Sequence, residues 1–284
     1  MNEYLSRPLV QIIILNWNGK DDTIECLRSL SKINYRNKII TVVDNASTDG
    51  SFEAIKGEFP TLNFIQNDGN LRYAGGNNAA IKNELKGEAS LFLIMNNDTI
   101  VKDNFLDFLV KTAESDQHIG IVVPKIYYYD DMGKIWYAGG FVNFFTGNIY
   151  HRGLRKTDTV GFDEGGEVDY ATGCCMLVKR AVFEEIGLFD EAYLYTEDVD
   201  FCFRARKAGY KVVFEPQSFI WHKITSAYSI SFKIYSRIKS NFRFFRFYAK
   251  WYHWLTIPVM VFLRAIQFVI GRLIMFSVRR IKAI

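Results

Sequence analysis

Short, largely apolar runs that stop at small polar residues recur through the first hundred positions. Val10-Gln11-Ile12-Ile13-Ile14-Leu15 gives way to Asn16-Trp17-Asn18-Gly19. Lys38-Ile39-Ile40-Thr41-Val42-Val43 runs into Asp44-Asn45-Ala46-Ser47. Leu62-Asn63-Phe64-Ile65 leads to Asn70-Leu71-Arg72, and Leu91-Phe92-Leu93-Ile94-Met95 ends at Asn96-Asn97-Asp98-Thr99. Such runs predict buried strands. Between the first two, Asp21-Asp22-Thr23 opens a helix with Ile24, Leu27 and Leu30 on one face. A further helix is predicted over residues 79–85. Strands alternating with helices predict βαβ units, an α/β class and a mostly parallel sheet. The polar tails then gather at its carboxyl edge, where open α/β sheets bind ligands.

The second half is less regular. Ile119 to Val123 predicts another strand, and the Gly- and aromatic-rich stretch from Trp136 to Tyr150 a hairpin or an acceptor-side insertion. Asp163 to Glu167 is expected as a mobile loop. Tyr127-Tyr128-Tyr129 and Phe144-Phe145 suit stacking on sugar rings, although burial in a core explains them as well. Glu197-Asp198-Val199-Asp200 opens a helix to about Lys207, ended by Gly209; Lys211 to Phe214 is then a strand, followed by Trp221-His222. From Phe232 onward Ile234, Ile238, Phe242, Phe245 and Ala249 recur at helical spacing. Lys233, Lys239, Arg243, Arg246 and Lys250 lie largely off that stripe, giving a basic amphipathic helix.

With 284 residues, 49% hydrophobic, the chain has enough material for one large domain or a domain with an appendage. The net charge of +4 conceals an asymmetry. After Glu215 there are 12 Lys and Arg and no Asp or Glu, while the preceding residues hold 23 basic against 31 acidic side chains. A basic, aromatic tail on a mildly acidic body points to an anionic surface. Arg264, Gln267 and Arg272 interrupt the apolar stretch from Trp254 to Val278, so a helix lying in a membrane interface is expected rather than a span. The alternative is packing on the protein's own core or on a second copy. Four cysteines (Cys26, Cys174, Cys175, Cys202) have no metal-ligand spacing and are read as reduced cytosolic thiols. MNEYLSRPLV lacks a signal peptide's apolar core.

Asp98 is the one charge in its triplet. A carboxylate on a rigid strand end between amides suits a hard divalent cation that also holds phosphate, whereas a turn or N-cap is the plainer use of these residues. Neither G-x-G-x-x-G nor a P-loop occurs. Gly75-Gly76 either lets backbone approach a ligand or turns the chain.

Leu15-Asn16-Trp17-Asn18-Gly19, Val43-Asp44-Asn45-Ala46-Ser47-Thr48-Asp49-Gly50, Ala74-Gly75-Gly76-Asn77-Asn78 and Met95-Asn96-Asn97-Asp98-Thr99 together resemble the family 2 glycosyltransferases of GT-A fold, and most the rhamnosyltransferase-like branch. The resemblance continues through Thr172-Gly173-Cys174-Cys175, Gly187-Leu188-Phe189-Asp190-Glu191 and Glu197-Asp198-Val199-Asp200, covering roughly residues 10 to 222. Arg72 departs from it, standing where the family often has Gly. The resemblance implies a GT-A type, Rossmann-like sheet flanked by helices. Asp44 corresponds to the carboxylate that recognises a uracil or thymine ring, implying UDP- or dTDP-sugar donors. Asn16, Asn70, Arg72, Asn77 and Asn97 join it as nucleotide-binding candidates. Asp98 corresponds to the last carboxylate of the metal motif. His222, 24 residues beyond Asp198, is its expected partner on Mn2+ or Mg2+. Asp198 corresponds to the catalytic base, with Glu197 beside it and Asp200 in a structural role. The helix field is expected to keep the Asp198 pKa low.

The expected organisation is a catalytic domain over 1–230, divided into a nucleotide-binding half (1–118) and an acceptor half (119–230), and a membrane-associating or oligomerising segment over 231–284. The expected activity is inverting, metal-dependent transfer of a deoxyhexose such as rhamnose to a glycan or lipid-linked acceptor in surface polysaccharide synthesis. It is expected on the cytoplasmic membrane face. Other hexosyl transfer is the nearest rival. A processive synthase would carry Gln-x-x-Arg-Trp and several spans, which the sequence lacks. A nucleic-acid partner is not expected, because the tail's apolar stripe suits a membrane better than a phosphate groove. A non-catalytic nucleotide-sugar-binding protein is the remaining alternative.

Overall fold

The computed structural model describes residues 7–158, 161–224, 229–263 and 266. The four apolar runs form β1 (Val10–Asn16), β2 (Lys38–Asp44), β3 (Asn63–Gln66) and β4 (Leu91–Asn96). They are parallel, in the order β3-β2-β1-β4. Crossovers run through α1 (Lys20–Leu30), α2 (Ser51–Glu58) and α3 (Arg72–Glu84). The register sets Asn16 beside Asp44 and Leu15 beside Asn96, so the polar tails finish level on one edge.

α3 begins seven positions earlier than predicted, and Gly75-Gly76 lies inside it. The pair therefore does not turn the chain. A Cβ at Gly76 would stand 2.5 Å from Leu15 Cδ1 and one at Gly75 2.9 Å from Leu71 Cβ. Gly76 lets the helix approach β1, and Gly75 packs against Leu71 and Glu191; that packing overrides their poor helix propensity.

After β5 (Thr99–Val101) and α4 (Phe105–Glu114) the sheet is extended by β6 (Ile119–Tyr128). β7 (Ile135–Tyr137) pairs with β6, and β8 (Gly140–Asn143) with β9 (Asn148–His151) makes the expected hairpin. β10 (Gly166–Glu167) follows, then β11 (Cys175–Lys179), α5 (Arg180–Ile186), α6 (Glu197–Lys207) and β12 (Lys211–His222). β11 runs antiparallel between β4 and β6, and β12 lies parallel beyond β6. The segment expected as a mobile loop is tied down: Asp163 bonds Lys125, and Gly166–Glu167 pairs with β12.

β12 outruns its predicted end at Phe214. Pro216 signals a break, but the register shift between Glu215 and Phe219 absorbs it as a bulge. The strand then resumes and pairs antiparallel with β5, setting His222 opposite Thr99. That pairing positions His222 beside Asp98.

α7 (Ile230–Tyr248) packs against the preceding fold and leads into a 3-10 turn, Trp251–Leu255. Its buried face keeps only Phe245 and Ala249 of the predicted stripe. Phe244 and Phe245 are buried with Ser236 and Ser240, whereas Ile234, Ile238 and Phe242 are 54%, 65% and 58% exposed. Ser240 Oγ accepts the Leu194 N–H at 3.0 Å, Arg243 pairs with Asp190 at 2.9 Å, and Tyr248 donates to Asp200 at 2.8 Å. The serines allow close approach, and a pattern search misses them because they are polar. Phe144 packs among Phe203, Phe244, Phe245 and His253. Among the described residues no helix is long and apolar enough to cross a membrane. Arg264, Gln267 and Arg272, on which the interfacial expectation partly rested, lie outside the described residues.

Candidate active site

The carboxyl edge of the sheet is built from residues that satisfy one another. Asn16 is fully buried at the end of β1. Its amide donates to Asp44 Oδ1 (3.0 Å), Ser47 Oγ (3.1 Å) and Ser51 Oγ (2.9 Å). Its carbonyl oxygen accepts from Thr23 Oγ1 at 2.9 Å, the Gly19 N–H at 3.2 Å and Asn97 Nδ2 at 3.3 Å. Asp44 Oδ2 accepts the Ser47 N–H at 3.0 Å, and Asn97 also donates to Thr23 Oγ1 at 2.8 Å. Asn70 is held from below: Asn45 Nδ2 donates to its oxygen at 3.0 Å and to Arg72 O at 3.2 Å. Asn77 lies apart, buried inside α3 with its amide on Tyr73 O.

Arg72 has φ +61°, in the left-handed region that favours glycine. The departure from the family pattern therefore falls on a backbone position that a glycine occupies without strain.

Asp98 and His222 are brought together, with Nε2 3.1 Å from Oδ1 and each side chain 8% exposed. His222 packs edge-on against Trp136, and its Nδ1 is buried with no hydrogen-bond partner among the described residues. A carboxylate and an imidazole about 3 Å apart stand as two neighbouring ligands do on an octahedral ion with metal–ligand bonds of about 2.1 Å. The pair fits a divalent cation, although among the described residues no cluster of three or more His, Cys, Asp or Glu surrounds it.

Asp198 sits in the first turn of α6. Its two oxygens accept the Gly173 and Val199 N–H groups, each at 2.8 Å. The expectation of a low pKa is overturned: burial raises Asp198 more strongly than these amides lower it. Glu197 is raised further, by burial and then by the Asp198 charge beside it. Glu197 Oε2 has no partner among the described residues. Two adjacent carboxyls whose surroundings push their titrations apart favour one proton on Glu197 and a charge on Asp198. Asp200 turns away and binds Arg204 at 2.8 Å.

A cavity of about 710 Å³ joins these parts. Asn96, His222, Glu197 and Asp198 line it, together with Arg72, Trp136 and His151. α7 closes one wall with Phe232, Lys233, Arg237 and Asn241. Sequence reasoning assigned no site role to Gly173, Trp136, His151 or these α7 residues. Gly173 alone left a signal, since its block belongs to the resemblance. A Cβ there would stand 2.5 Å from the Tyr73 hydroxyl, so glycine frees the N–H that holds Asp198.

The profile of the family described as "Glycosyltransferase like family 2" matches residues 7–241. The chain is 28% identical over 216 residues to an N-acetylglucosaminyl-diphospho-decaprenol L-rhamnosyltransferase of Mycobacterium tuberculosis, covering 69% of this chain and 70% of that protein. It is 26% identical over 256 residues to the rhamnosyltransferase WbbL of Escherichia coli, covering 83% and 92%. Other relatives are longer: this chain spans 24% of a Sinorhizobium fredii protein and 63% of a Haloferax volcanii hexosyltransferase. Among solved structures, a mannosyltransferase of Pyrobaculum calidifontis in complex with GDP-Man and Mn2+ superposes with a TM-score of 0.63. It shares 18% identity, with 88% of this chain and 67% of that one covered, which supports a GT-A fold.

Proposed function

We propose a donor, an acceptor and a mechanism for a chain that belongs to glycosyltransferase family 2. The enzyme transfers a deoxyhexose such as rhamnose, with inversion, from a dTDP- or UDP-sugar. The acceptor is a glycan or a lipid-linked oligosaccharide of surface polysaccharide synthesis, met at the cytoplasmic membrane face. Other hexosyl transfer is the alternative. The observation that carries this reading is one cavity lined by both Asp198 and the His222 that contacts Asp98. Relatives named as rhamnosyltransferases support the choice of sugar.

Asp44 recognises the base, held in its buried position by Asn16 and the Ser47 amide. Asp98 and His222 would hold Mn2+ or Mg2+, and a bound ion would supply charge neutralisation for the leaving diphosphate. Asp198 takes the proton from the attacking hydroxyl. With its pKa raised to about 6, it is both a stronger base than an exposed carboxylate and ionised at neutral pH. Glu197, protonated beside it, keeps the second negative charge out of the cavity.

The test is transfer and donor hydrolysis across UDP-, dTDP- and GDP-sugars with Mn2+ or Mg2+. Asp198→Asn is expected to lower turnover by about 10³-fold while the nucleoside diphosphate still binds, since the proton acceptor acts mainly in the transition state. Wild-type turnover should rise with pH through about 6 and then level. Near-normal turnover in Asp198→Asn with a large loss in Glu197→Gln would exchange the two roles. Full activity in EDTA would remove the metal.

A further inference from the structure

The wall that α7 contributes to the cavity carries two cations. Lys233, Arg237 and Asn241 recur every fourth residue and so share one side of the helix. Among the described residues neither Lys233 nor Arg237 pairs with a carboxylate. Lys223, Arg204 and Arg243, also at or near the site, each do. Nor does either cation offset the Glu197–Asp198 pair, whose titration is set by burial and by one carboxyl acting on the other. The field of Arg237 reaches His151 and Tyr170 instead, both lining the cavity. The basic pair thus faces the cavity from the α7 wall, across from the sheet edge where β5 and β12 bring Asp98 and His222 together.

One position further along the helix, Ile234, Ile238 and Phe242 form a second row, about 100° round the axis. That row is more than half exposed, and in the following turn Trp254 packs on Phe242 while Trp251 and Leu255 are 77% and 69% exposed. Across α7 the order is therefore cavity, cations, apolar surface. A molecule that fits this order carries a sugar, then negative charge, then hydrocarbon.

We propose that Lys233 and Arg237 form a subsite for a phosphate carried by the acceptor, whose lipid chain leaves along Ile234, Ile238 and Phe242. The assignment rests on the reading that Asp198 activates an acceptor hydroxyl in this cavity. Two phosphates are then held at separate places: the donor's at the sheet edge, and the acceptor's on α7. Charge-assisted contacts from a guanidinium and an ammonium suit phosphate oxygens. The apolar row beside them keeps the chain out of water.

The full-length protein should be compared with Lys233→Ala/Arg237→Ala and with the charge-keeping Lys233→Arg/Arg237→Lys. The binding probe is decyl diphosphate. The transfer probes are a hexose joined to decanol through a diphosphate and the same hexose as a plain decyl glycoside. The double alanine variant is expected to weaken decyl diphosphate binding tenfold or more and to cut the preference for the diphosphate acceptor by a similar factor. The charge-keeping variant should recover most of both. Ile238→Asn/Phe242→Asn should reduce the affinity gained on lengthening methyl to decyl diphosphate. Equal losses against both acceptors, unchanged binding of decyl diphosphate, or a matching loss of UDP binding would each overturn the subsite. So would reduced sedimentation with anionic vesicles while decyl diphosphate binding stays intact, because the cations would then contact headgroups only. Charge-dependent decyl diphosphate binding in a protein that transfers no sugar would keep the phosphate site and refute the proposed reaction.

Discussion

The sheet edge proposed to meet the donor and the cavity wall around Asp198 treat their polar groups differently. On the donor edge Asn16 alone takes part in six hydrogen bonds, and Asp44, Asn45 and Asn97 are paired with neighbours. Asn77 Oδ1 is an exception, buried without a partner. On the acceptor side Glu197 Oε2 and Thr196 Oγ1 are buried without partners among the described residues. The donor edge is finished before any ligand arrives, so its shape is fixed by the fold. The acceptor side keeps hydrogen-bonding capacity in reserve and bears the cost of burying it. Substitutions on the first side should therefore change stability, and on the second mainly activity.

The sharpest way to break that contrast is Asn16→Ala against Glu197→Gln. Asn16→Ala removes the donor to Asp44 Oδ1, leaving that buried carboxylate only the Ser47 N–H on Oδ2, and strands the groups that met the Asn16 oxygen. The expected loss is about 4 kcal/mol in urea unfolding. Glu197→Gln removes a buried ionisable group and should leave stability equal or higher. The pH dependence separates them further. Glu197 is raised from 4.5 to about 8, so the folded protein holds a proton that the unfolded chain releases. Its stabilising share is full below about 4.5 and is lost as pH rises through about 8. The urea midpoint of the wild type should fall between pH 5 and pH 8, and that of Glu197→Gln should fall less. An Asn16→Ala protein as stable as the wild type would end the distinction.

The two faces of α7 offer the same contrast on one helix. Phe244 is fully buried among Phe144, Phe203 and Tyr248, and Phe244→Ala should cost about 3 kcal/mol. Phe242 is 58% exposed, and Phe242→Ala should stay within about 0.5 kcal/mol. Equal effects in thermal unfolding would mean that α7 is not docked by the face assigned to it.

How far these differences were legible depends on what each rests on. The sheet edge was readable because buried parallel strands need uninterrupted apolar runs, and those runs end in Asn, Asp and Gly. Asp98 and His222 were readable as a pair from the resemblance. Their contact was not, because it depends on a bulge after Pro216 that lets β12 resume and meet β5. The docked face of α7 was hidden because Ser236 and Ser240 are polar residues used for close approach. The raised titration of Asp198 was hidden for a similar reason: the helix terminus is visible in sequence, but the burial that outweighs it comes from tertiary packing.

The smallest expected effect lies at Arg72, one of three non-glycine residues on the donor edge with positive φ, beside Asn18 and Ala46. Arg72 holds φ +61°, fixed by its carbonyl on Asn45 Nδ2 and its N–H on Asn70 Oδ1. A non-glycine residue there costs about 1 kcal/mol, and glycine's greater freedom when unfolded returns part of that. Arg72→Gly should therefore stabilise the protein by no more than about 1 kcal/mol in urea unfolding. The side chain also lines the cavity, so its removal should weaken UDP or dTDP binding. Stability up and nucleotide affinity down would mean the strain serves donor binding at an otherwise finished edge. Unchanged affinity would leave the arginine without a part in the donor site, and that edge would then be shaped by the fold alone.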